Sequence, residues 1–176
     1  MQKSYVMWED MTMSEQSMEH IIKEALTGDV QRNALSLVAF LQANDISCER
    51  STTGYWADKI YFVCNYKDQS MCYIAINESE ANTWNIQGDD SGDDWFENES
   101  LNECMREIAW DHVSVCENEI RCFDGCVRTR KIIFGKAFDN VCPITFKFDN
   151  PDMAAMECMK AIFGVRKNYI LQRSTI

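Results

Sequence analysis

Four thiols and an imidazole crowd the last third of the chain. They are His112, Cys116, Cys122, Cys126 and Cys142, around the stretch CENEIRCFDGCVRTRKIIFGKAFDNVC. Thiolate and imidazole are the donors a tetrahedral zinc takes, four at a time, usually in tight pairs from knuckle-like turns. Cys122-Phe-Asp-Gly-Cys126 fits such a turn, because Gly125 can adopt positive φ. Cys116 and Cys142 would complete the set, with His112 as a substitute, and zinc is the cofactor this set would take. Against it, the Cys116–Cys122 spacing is loose and a second tight pair is absent, so reduced, partly buried thiols are the simpler outcome. A redox role needs a thiol of lowered pKa beside a resolving thiol. Arg121 and Arg128 next to Cys122 and Cys126 meet the electrostatic half of that condition, although there is no CxxC.

Other catalytic patterns are missing. GxSxG, GxGxxG and the Walker pattern do not occur, and the only histidines are His20 and His112. The acidic run GDDSGDDWFENES fails as a calcium loop, because position six would be Asp94 rather than glycine and position twelve Ser100 rather than glutamate. A binding role has better support. Trp56, Tyr61, Tyr73 and Trp84 fall in or near strand-like segments, and a curved sheet would bring such rings around a small apolar or cationic ligand. The bland alternative is that they form the core between sheet and helices.

Charge narrows the partners. With 28 acidic against 17 basic side chains the net charge is −11, which argues against a nucleic-acid partner, since phosphate contacts need a basic face. The one basic cluster in the sequence, Arg121, Arg128, Arg130 and Lys131, reads as charge offset on a solvated surface. No apolar run approaches the roughly 20 residues of a membrane helix, and the N-terminus lacks a signal-like h-region. The expectation is a cytoplasmic protein with no membrane partner. Nine cysteines then read as thiols rather than a disulfide framework, with Cys64, Cys72, Cys104 and Cys158 as packing residues.

The elements that must position these residues follow from periodicity. Residues 1–13 form an irregular lead-in. Apolar residues at helical spacing predict a helical hairpin over 14–44, with Ser14 as first cap and a break at Gly28. Residues 55–88 change to a period of two and predict a β-meander, with IYFVCNY and MCYIAI joined by KDQS. A capping box at Ser100–Glu103 opens a helix over 100–111, with Leu101, Cys104, Met105 and Ile108 as its buried face. Residues 112–142 read as a long Cys-rich connection containing a short strand at Lys131–Phe134. A strand and an NPD-started closing helix occupy 143–170.

At FGKAFDNVC (Phe134–Cys142), followed by TFKFDNPD and a closing helix, the chain resembles a group of small clostridial-type bacterial proteins of no known activity. The likeness spans roughly residues 60–170 and is specific near the C-terminus. It implies a stand-alone bacterial cytoplasmic domain. In that group the turn carries closer cysteine pairs, whereas Glu119 stands here where a neighbouring thiol is expected. Taken together, the sequence predicts a single α+β domain over 1–176, an antiparallel sheet packed against the helical hairpin and the C-terminal helices. Its expected role is a non-enzymatic module for a small molecule or a protein, the alternative being a thiol- or zinc-dependent sensor or enzyme.

Overall fold

In the computed structural model, residues 17–53, 59–88, 95–97, 101–116 and 126–174 are described. Among them, helices α1 (Met18–Ala25) and α2 (Gly28–Ala43) are followed by strands β1 (Ser47–Ser51), β2 (Ile60–Tyr66), β3 (Gln69–Asn77) and β4 (Thr83–Gly88). A single 3-10 turn at Trp95–Glu97 precedes α3 (Glu103–Asp111). Then come β5 (Val113–Val115), β6 (Thr129–Ile133), β7 (Lys136–Asp149) and α4 (Met153–Arg173). All strand pairings are antiparallel, and the strands form one seven-stranded sheet in the order β1-β2-β3-β4-β7-β5, with β6 also on β7. The α+β architecture expected from the sequence is the one observed.

Alternation assigns the faces. Phe62, Cys64, Ile74, Ile76, Trp84, Ile86, Phe146 and Phe148 point to one side, where they pack with Ile22, Leu37, Leu41, Met156, Met159 and Phe163 of the helices. Tyr61, Val63, Tyr73, Ala75 and Ile144 cluster on the opposite side. The space between sheet and α4 is closed down to about 10 Å³, about one water probe. That space is too small for a ligand.

Several boundaries move for identifiable reasons. Ser14 lies outside the described residues, and the first cap is Ser17, whose Oγ accepts from the His20 N–H. Ser100 is likewise outside them. Asn102 caps α3 instead, with Oδ1 accepting from Met105 N at 2.9 Å. On that helix Ala109 is the buried residue, Leu101, Met105 and Ile108 pack partly buried against the core, and Cys104 is exposed. The β2–β3 loop is a two-residue turn, Lys67–Asp68, with φ of 48° and 61°, the left-handed pair that matches strand twist.

The largest correction concerns 112–142. Where described, it is mostly sheet rather than connection: β5, β6 and the first half of β7, with Ile133, Phe134 and Val141 buried. Val141 pairs with Val115 on one edge and Thr129 on the other, and Phe146 pairs with both Gly88 and Val113. So β6 and β4 share one edge of β7 end to end, and β5 takes the other. Pro143 sits between the segment paired with β6 and the one paired with β4, where its missing N–H costs that edge no ladder bond.

Candidate functional site

The aromatic set does not converge. Trp84 is buried on the helix side of the sheet at 1% exposure, whereas Tyr61 and Tyr73 lie on the opposite side; Trp56 is outside the described residues. The Tyr61 hydroxyl donates to the Thr53 carbonyl and lies 2.8 Å from Ser51 Oγ, so it is engaged by β1 and the loop after it.

The thiol set converges only in part. The Cys116 N–H donates to the Asn140 carbonyl at 3.0 Å, so Cys116, at the end of β5, runs beside the part of β7 that carries Cys142. Cys126 is buried just ahead of β6, and Cys122 lies outside the described residues. His112 is the C-cap of α3, stacked on Phe148 at 4.2 Å with Nδ1 3.2 Å from the Lys147 carbonyl. That spacing suits an Nδ1–H donor. Among the described residues no group of three or more His, Cys, Asp or Glu side chains is placed to hold a metal ion.

The basic cluster of the sequence also divides. Strand alternation in β6 turns Lys131 inward, where Nζ donates to Thr145 Oγ1 at 2.8 Å and faces the Phe96 ring. Arg130 stays exposed, 3.8 Å from Asp139. Arg121 is outside the described residues.

A different cation cluster forms where distant segments meet. Arg166, Tyr169, Ile170 and Arg173 recur at helical spacing on α4, so they share one face of its last two turns. The β2–β3 turn brings Lys67 and Gln69 opposite them. Between the two lies a cleft of about 470 Å³, lined by these six residues and Ser174. That is within the size range of small-molecule sites. The lining holds three cations, and among the described residues no carboxylate.

Its geometry is ordered around Tyr169. The Arg166 guanidinium, on a side chain 1% exposed, lies 5.5 Å from that ring and 5.7 Å from Trp95. Arg173 sits over the same ring at 5.5 Å and donates Nη1–H to the Tyr169 hydroxyl at 2.9 Å. Cation–π contact holds both guanidiniums in place at modest cost. Lys167, one residue on, is committed elsewhere, donating to the Asn44 carbonyl at 2.7 Å. Part of the clustering serves α4 itself, whose C-terminal end attracts cations.

The cleft was hidden in the sequence because Lys67 and Arg173 are 106 positions apart. The one visible signal was the period 166, 169, 170, 173, which reads equally as an ordinary basic helix end. No family model matches the chain, and comparison with curated proteins and with solved structures finds no match.

Proposed function

We propose that the chain is a non-enzymatic small-ligand-binding module, and that its ligand is a small anion, phosphate-bearing or polycarboxylate, bound between Lys67, Arg166 and Arg173. One observation carries this reading: three cations converge on a single open cleft in a protein of net charge −11. Arg guanidiniums bind such oxyanions through paired, charge-assisted hydrogen bonds, and Tyr169 and Ile170 offer apolar surface to whatever the anion is attached to. The absence of catalytic motifs from the sequence supports binding over turnover. Composition and the bacterial resemblance support a cytoplasmic setting without nucleic-acid partners. No helix among the described residues is long and apolar enough to cross a membrane.

The test is calorimetric titration with pyrophosphate at low salt. Saturable binding is expected, weakened about tenfold or more by Lys67→Ala with Arg173→Ala, each charge-assisted bond being worth about 1.5 kcal/mol or more. Arg130→Ala, on the exposed side of β6, should leave the affinity unchanged. Absence of saturable binding, or equal weakening by Arg130→Ala, would remove the proposal.

A further inference from the structure

The other unexpected juxtaposition is a row of cysteines across three adjacent strands. Cys48 of β1 pairs in register with Cys64 of β2, and Cys64 pairs in register with Cys72 of β3. All three belong to the helix-facing side of the sheet. Cys48 and Cys64 are joined as a disulfide, which corrects the expectation that every cysteine is a thiol. Their Cα atoms are 4.1 Å apart, which marks a non-hydrogen-bonded cross-strand pair. Backbone groups of Cys64 therefore point toward β3, making Cys64 and Cys72 a hydrogen-bonded pair. The Cα separation of such a pair is about 5.5 Å, inside the range that disulfides span. A bulge beside it, where Asn65 pairs with Ser70 and leaves Met71 over, gives this part of β3 room to adjust.

Exposure distinguishes the three sulfurs. Cys64 and Cys72 are sealed in the core at 0% and 1%. Cys48 is half-buried and lines a groove of about 280 Å³ between β1 and the first two helices, with Met18, Glu19, Val38 and Gln42. Cys64 has a partner on each side and only one bond to give.

We propose that Cys48, Cys64 and Cys72 form an internal thiol–disulfide exchange relay that presents Cys48 as a reactive thiol in this groove. In the step, the Cys72 sulfur loses its proton and attacks the Cys64 sulfur. The Cys64–Cys72 bond forms, the Cys48–Cys64 bond breaks, and the Cys48 sulfur leaves with the electron pair and takes the proton. One disulfide is exchanged for another, so neither oxidant nor reductant is consumed. The product thiol is the one sulfur of the three that a thiol-reactive molecule in the groove can reach.

The relay is testable by trapping. Folded, oxidised protein is held with iodoacetamide and no reductant, in a Cys104→Ser background so that one cysteine remains in the tryptic peptide 68–106. Non-reducing digestion should at first join peptide 33–50 to 60–67. With time, alkylated Cys48 should accumulate on 33–50 while 60–67 becomes joined to 68–106. Cys72→Ser and Cys72→Ala, checked for folding by circular dichroism, should abolish both changes. A 33–50/60–67 link that stays intact in the wild type would overturn the relay. So would Cys48 labelling that persists at the same rate in both Cys72 variants, or a first digest lacking the 33–50/60–67 link.

Discussion

Cys158 shows how much a single buried atom can be made to resist. It lies on α4 at 0% exposure, and its thiol donates to the Met105 carbonyl at 3.2 Å. Burial first, and repulsion from Cys104 second, push its pKa up to about 12 from an ordinary 9.0. The unfolded chain therefore loses this proton before the folded one does. Between pH 9 and 12 the native state binds more protons, so stability falls as pH rises through that window. Below pH 9 the group contributes no pH dependence. Urea midpoints at pH 8 and pH 10.5 should separate more widely for the wild type than for Cys158→Ala, since other titrating groups are common to both; equal separations would contradict the assignment. The sequence marked Cys158 as a packing residue and the structure agrees. It marked Cys104 the same way from the same helical pattern, and that sulfur is exposed. A periodic pattern names the face that turns inward but not how far the neighbouring helix reaches.

At the scale of elements, Gly88 fixes how β3 and β4 meet. A Cβ there would stand 2.8 Å from the Met71 carbonyl oxygen and 3.4 Å from the Cys72 Cβ. The nearest obstacle is backbone, which cannot swing aside as a long side chain can. Gly88→Ala is therefore expected to cost about 1–3 kcal/mol of stability, read as a lower chemical-denaturation midpoint, whereas Gly164→Ala on α4 meets open space and should gain up to about 1 kcal/mol from helix propensity. Strands also mark the limit of legibility. β2, β3 and β4 announced themselves through β-branched and aromatic alternation. β1, with the sequence SCERS, did not: it is short, polar and an edge, held by pairing to β2 and by its sulfur. Of β7 only the second half was read as strand, its first half being counted with the Cys-rich connection over 112–142.

For the whole molecule, the bridge between β1 and β2 closes a loop of 16 residues, worth up to about 3 kcal/mol in the chain-entropy account. Reductant should lower the unfolding free energy of the wild type by an amount up to that size. Cys64→Ala, less stable from the outset because it leaves a cavity, should show no further loss, since it removes the sulfur common to both pairings. A reductant effect of the same size in that variant would exclude the bridge as its source. Neither the bridge nor the cationic cleft was legible in the sequence, and for one physical reason. Both are made by register and by packing between segments far apart in the chain, whereas periodicity reports only which side of its own element a residue faces. The expected zinc set was drawn from residues close in sequence; of its described members, Cys116 comes beside the part of β7 that carries Cys142, while His112 turns to Phe148 and the Lys147 carbonyl.

The placement of β7 also sets an order of events during synthesis. β1 to β4 can pair among themselves as soon as they leave the ribosome, but among the described residues the outer edge of β4 has its partner in β7, the last strand made. Until β7 arrives, a hydrogen-bonding edge flanked by Trp84 and Ile86 stays open, a template for another unfinished copy. Nascent chains stalled ahead of β7 should therefore be the aggregation-prone species, and completion of this one strand the event that ends the hazard.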